Sequence, residues 1–291
     1  MIVYNKITKL IILFLVILST ACQKQQKEAS MQNSLRIDFQ EGDLSSLHPH
    51  DLMIYLRGIS IGKCLFEGLT RLDEHGKIVL AGAKSVDISP NGLTYLFKLR
   101  KNHWSDGTPV TASQYEMAWK EALSPVSFCP RPDLLYAIKN AAEVKKGHLP
   151  LDELGVRALD EETLQVELGR PSPHFLALLA QIISAPLKNP SDREIKIFNG
   201  PFIVDQWQRN SCLKLKPNPH FWNKSHVSLN QIEVYMVQDP QTAFSLYEEK
   251  QLDWIGVPIC PLSAEQIEFL KNKNTLLSCS IDRAFWVFLN T

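Results

Sequence analysis

The sequence has no surplus of charge of either sign: Lys and Arg total 31, and Asp and Glu total 31, over 291 residues. A protein that grips nucleic acid through its phosphates needs a basic excess, so that class is set aside. No P-loop, GxGxxG, GxSxG or HExxH pattern occurs, and no two cysteines stand in CxxC spacing. Catalysis needs a nucleophile or an acid–base pair held in place, and none announces itself. The absence of these motifs does not exclude an enzyme but makes one less expected, and no cofactor is assigned. Repeats are absent as well. With Cys22 set aside, Cys64, Cys129, Cys212, Cys260 and Cys279 remain, an odd number that does not make a disulfide framework. The apolar run Leu10–Leu18 is nine residues, too short for a permanent membrane-spanning helix.

What is present begins with that run. Lys6 and Lys9 precede it, and Ser19-Thr20-Ala21-Cys22 follows. A basic start, a short apolar core and small residues before a cut are the parts of an export signal. The small residues before Cys22 resemble a bacterial lipobox, in which the cysteine thiol takes a diacylglycerol and the chain is cut just before it. Ser19 stands where Leu is usual, with Leu18 one place earlier. The alternative is a plain secretory signal with an incidental Cys22. Residues 23–34 are polar and without apolar period, which suits a flexible tether.

The remainder mixes strands and helices, an α/β chain of mixed α+β type. LRIDF (35–39) alternates as a strand does. The strands 83–89 and 93–100 flank Pro90-Asn91-Gly92, a hairpin turn. Thr111 with Gln114 forms a capping box that opens a helix over 111–123, with Tyr115, Ala118, Trp119 and Ala122 on one face. Further helices are expected over 134–147, 174–184, 239–251 and 263–273, the last opened by Ser263 with Gln266. A short strand is expected at LDWIGV (252–257). The six tryptophans are expected mostly in core, Trp119 included. His48 and His50 make an HxH pair, which chelates transition metals where a third ligand stands near. The loop offers none, so the pair is expected to be solvated and no metal site is assigned.

Several stretches together resemble the family-5 extracellular solute-binding proteins, the oligopeptide- and dipeptide-binding lipoproteins of ABC importers. Residues 65–125, running from LFEGL through PNG, TYLFKLR and WSDGTPVTA to the AW helix, look like that family's signature region. NGPFIVDQW (199–207) with KPNPHFWN (216–223) resembles a second block. DPQTAFSLYEEKQLDWIG (239–256) resembles a third, with Lys250 where Gly is more usual.

The resemblance implies a periplasmic-binding-protein type II-like fold, two lobes around a cleft, of which this sequence would hold the first. Residues 35–61 and 170–280 would form that lobe, and 62–169 an accessory domain carrying the WSDG signature. Residues 281–291, which contain RAFWVFLNT (283–291), would start the strand crossing to a second lobe that is missing here. It implies oligopeptides as ligands, paired by their backbone along the cleft, with ABC permease subunits as partners and the membrane reached through the lipid. Candidate ligand-facing residues by position are Ile54, Tyr55, Leu56, Asn199, Ala284, Phe285 and Trp286. A separately encoded second lobe would be a further partner. Alternatives are a surface interaction protein, a degenerate remnant of the family, or a binder of nickel or another small solute.

Overall fold

The computed structural model describes residues 33–278, apart from positions 41, 55, 191 and 193 and the side chain of Leu56. In chain order the elements are β1 (Ser34–Asp38), α1 (Leu56–Leu65), β2 (Thr70–Leu72), β3 (Ile78–Leu80), β4 (Ala83–Ile88), β5 (Thr94–Leu99) and α2 (Ala112–Leu123). Then follow α3 (Ala141–Lys145), β6 (Val156–Ala158), β7 (Thr163–Glu167), α4 (Phe175–Leu178), β8 (Phe202–Gln208), β9 (Cys212–Pro217), β10 (Gln231–Tyr235), α5 (Pro240–Glu248) and α6 (Ala264–Asn272). Among the described residues no helix is long and apolar enough to cross a membrane.

Two four-stranded sheets organise these elements. One has the order β4-β5-β7-β6 with every pairing antiparallel. Its first hairpin turns at Gly92, whose φ of +68° needs a residue without a Cβ penalty. Along β5 burial alternates, with Tyr95, Phe97 and Leu99 turned inward. The α2 helix packs beside it through Tyr115, Ala118, Trp119 and Ala122, the face its spacing predicts. Gln114 Oε1 accepts the Thr111 N–H at 3.0 Å and also the Trp104 indole N–H at 2.9 Å. One side chain thus starts the helix and ties the WSDG turn to it. Trp119, fully buried, donates its indole N–H to Ser184 O at 2.9 Å.

The other sheet has the order β1-β10-β9-β8, with β1 and β10 parallel. Along β10 and the two residues that follow it the side chains divide between two cores. Ile232, Val234 and Met236 join the main core, whereas Tyr235 and Val237 pack against a smaller one built from Ala243, Phe244, Leu252, Ile255, Cys260 and Leu270. Both faces of this end of the sheet are therefore covered, the usual condition of parallel strands. The α5 and α6 helices meet over the smaller core, Phe244 edge-on to Phe269 at 5.7 Å. The α6 cap is reciprocal: Ser263 N–H donates to Gln266 Oε1 and Gln266 N–H to Ser263 Oγ.

Three expectations fail locally. Residues 134–147 do not form one helix. Asn140 takes a left-handed φ of +66°, because Lys139 N–H is drawn onto Glu167 O at 2.8 Å and Ile138 bridges Leu168 beside β7. Residues 174–184 break into α4 and a short 3-10 turn over Ile182–Ser184. The expected strand at 252–257 is a single parallel bridge, Trp254 beside Ile37.

Candidate ligand-binding edge

In sheets with parallel strands, ligands sit where the carboxyl ends of the strands emerge. Here three segments run in the same direction: β10, β1 and the Leu252–Gly256 stretch bridged to β1 at Ile37. Arg36 fastens that stretch. Its guanidinium reaches Asp253 Oδ1 at 2.7 Å and Oδ2 at 3.0 Å; the Asp253 N–H donates to Arg36 O, and the Arg36 N–H donates to the Asp253 carboxylate Oδ2, both at 2.8 Å. Such a two-pronged pair positions as well as binds.

Asp38 lies at the carboxyl end of β1. Strand alternation turns it away from the main core, yet it is 0% exposed because the smaller core covers that face. Burial pushes its carboxyl up to about 6, against the opposing pull of the Val237 N–H, the Cys260 thiol and the Arg57 charge. Its Oδ1 accepts the Val237 N–H at 2.8 Å, which joins the ends of β1 and β10. Just beyond, the chain turns at Gly256, whose φ of +126° only glycine takes readily, and Gly256 and Cys260 exchange backbone hydrogen bonds at 2.7 and 2.8 Å. Apolar surface stands open here: Trp254 is 37% and Val257 61% exposed. The edge thus offers an apolar, partly exposed rim beside a buried carboxylate.

The sequence-selected residues fare differently. Ile54 is 45% exposed on the short 3-10 turn before α1, and Leu56 begins α1. Tyr55, Ala284, Phe285, Trp286 and the lipidation candidate Cys22 lie outside the described residues. Asn199 is corrected: it is 0% exposed, its Oδ1 accepts Glu67 N–H at 3.2 Å, and its Nδ2 donates to Glu67 O at 2.8 Å. Next to it Gly200 N–H caps Leu65 O at 2.9 Å. A Cβ on Gly200 would meet the Leu65 carbonyl carbon at 2.5 Å. Residues 199–200 therefore terminate α1, supplying the partners its last carbonyls need. Ile54 and Asn199 sit at opposite ends of a ten-residue helix, about 15 Å long, and do not share a site. Asp38 and Trp254 were not selected from the sequence. The signal that existed was the acid at the end of a strand, which alternation alone assigns to solvent.

The solvated histidine pair is a second correction. His48 is 0% and His50 1% exposed, with their rings edge to face at 4.8 Å between centroids. Pro49 lies between them, and the chain then tightens into a 3-10 turn, His48 O accepting Leu52 N–H at 3.0 Å. This packs both rings against the last turns of α2, where Glu121 Oε2 stands 2.8 Å from His50 Nδ1. Burial would raise the Glu121 carboxyl, but the close His50 ring, Ser127 and the His48 charge together hold it down at about 2.

Comparison with known proteins agrees with this architecture. Residues 77–290 match the bacterial extracellular solute-binding proteins, family 5 (middle region). The oligopeptide-binding protein OppA of Bacillus subtilis is 31% identical over 277 residues, 91% of this chain and 50% of its own length. A probable deoxycholate-binding periplasmic protein of Escherichia coli, YgiS, is 32% identical over 67% of this chain and 38% of its own. The structure of Listeria monocytogenes OppA bound to peptide superposes with a TM-score of 0.73 at 30% identity, covering 82% of this chain and 48% of that one. The chain spans about half the length of these relatives or less. With the family match extending over most of the sequence, the chain belongs to the bacterial extracellular solute-binding proteins of family 5, a family of binding proteins and not of enzymes.

Proposed function

We propose that this chain is a peptide-binding component of an ABC importer and that the carboxyl edge formed by Asp38, Val237 and Trp254–Gly256 is one wall of its cleft. The observation that carries the reading is the exposed apolar rim of Trp254 and Val257 at the ends of parallel segments, in a chain similar to oligopeptide-binding proteins. An extended peptide would lie along this edge, its backbone pairing with the segment and its side chains on the rim. Ile54 to Leu56 would contribute from the start of α1. Residues 35–61 and 170–280 would serve as the lobe carrying this wall and 62–169 as an accessory module; the crossover expected at 281–291 lies outside the described residues. Permease subunits would receive the peptide.

A cleft binder buries most of its ligand between two walls. Micromolar affinity corresponds to about 8 kcal/mol, and loss of half of it leaves binding at ~1 mM. These residues alone are expected to bind peptide weakly, because one wall supplies only part of the contacts. Titration calorimetry with a tri- to pentapeptide mixture, with deoxycholate as a second solute, tests this. Low-micromolar peptide binding by these residues alone would contradict the one-wall account. Deoxycholate binding without peptide binding would replace the ligand class.

The same reading holds the protein at the membrane through a lipid on Cys22, after cleavage of residues 1–21 and with 23–34 as tether. Expression in a bacterial host with a labelled fatty acid should mark the chain, and Cys22→Ala should abolish the mark. An unmarked parent chain would leave a plain secretory signal.

A further inference from the structure

We infer that His48, His50 and Glu121 form a binding site for a single divalent transition-metal ion of the zinc class, separate from the peptide edge. One nitrogen of each ring and one carboxylate oxygen lie within 4.8 Å of one another. Tetrahedral zinc with nitrogen and oxygen ligands at about 2.0–2.1 Å sets those atoms about 3.4 Å apart, so small side-chain rotations close the triangle. Two imidazoles and a carboxylate are the ligand types that zinc and its borderline neighbours favour over calcium or magnesium.

The surroundings fit a built site. Both rings are buried, and the Glu121 side chain is 14% exposed. The Glu121 carboxylate is oriented by a second contact, Ser127 Oγ donating to Oε1 at 3.1 Å, which leaves Oε2 toward the histidines. Support of this kind behind a metal ligand fixes its direction. His50 Nε2 is buried without a hydrogen-bond partner among the described residues. A buried ring nitrogen left unmatched costs free energy, which an ion bound at Nε2 would offset. The ligands come from two distant parts of the chain, the segment ahead of α1 and the end of α2, so an ion here would cross-link them. Water would supply the fourth ligand. The role expected is structural, because the ion would reinforce the tie that the His50–Glu121 pair makes between the two elements.

The test uses the purified chain, stripped with a chelator and dialysed against zinc chloride. Metal analysis should find one zinc per chain, and the thermal midpoint should rise by about 5 °C at saturating zinc. His50→Gln and Glu121→Gln should each lose both effects. His148→Gln should leave both unchanged; it removes an exposed ring 2.8 Å from Glu143, the type of surface pair that gathers stray zinc. Cobalt on the unaltered chain provides a readout that needs no variant. Intense visible absorption marks four-coordinate cobalt in a protein site, and the weak spectrum of the hydrated ion would overturn the inference. Substoichiometric zinc, or zinc retained in full by His50→Gln, would overturn it as well and leave a buried histidine–carboxylate ion cluster.

Discussion

Asn199 and Glu67 clasp each other at the end of α1: the Asn199 amide accepts the Glu67 N–H at 3.2 Å and donates to the Glu67 carbonyl at 2.8 Å. Asn199→Ala strands both groups, and a buried backbone group without a partner costs about 1–3 kcal/mol. The expected loss is about 2–4 kcal/mol by denaturant unfolding. A loss below about 1 kcal/mol would mean that water or a rearranged loop replaces the clasp.

Asp38 makes stability depend on pH with an unusual sign for a carboxylate. Its folded value, about 6, lies above the ordinary 3.8, so the folded state holds the proton more tightly. Its contribution is fully present below about pH 4 and is lost as pH rises through about 6. Asp38→Asn keeps an acceptor for Val237 N–H and removes the buried charge. The variant should be more stable than the parent at pH 7, by up to about 3 kcal/mol, and nearly equal to it at pH 4. Thermal unfolding at the two pH values checks this, and equal effects at both would refute it.

Lys250 occupies a left-handed turn, φ +60°, after α5. A side chain there is strained by roughly 1 kcal/mol, whereas glycine adopts the conformation freely. Lys250→Gly should therefore raise stability by about 0.5–1 kcal/mol despite its greater freedom when unfolded. Arg36 donates to the Lys250 carbonyl at 2.8 Å, a bond that glycine retains. Chemical denaturation resolves the change, and a destabilised variant would mean that the lysine side chain packs usefully.

Local rules made much of the fold legible. The hairpin at Gly92, the α2 face with Trp119, and the Ser263–Gln266 cap follow from spacing and turn chemistry alone. The resemblance in residues 65–125 and two later blocks gave the family. What spacing could not give were the facts set by tertiary partners. Asp38 alternates outward from the main core, and only the second core makes it buried. The helix expected over 134–147 loses to hydrogen bonds offered by β7. His48 and His50 lacked a third ligand in their own loop, because Glu121 arrives on α2 from a distant part of the chain. Asn199 was selected by its place in the family pattern, and its neighbours on α1 gave it structural work instead.

The central claim is that ligand meets the exposed rim at Trp254 and Val257, beside the buried Asp38. Backbone amide NMR of the chain titrated with millimolar tri- to pentapeptides tests it most directly, because that method detects weak binding. The account predicts shifts concentrated at residues 37–39, 54, 237–238 and 254–257, with the WSDG turn at 104–107 silent. Shifts concentrated at 104–107, or none along the edge at millimolar peptide, would contradict it.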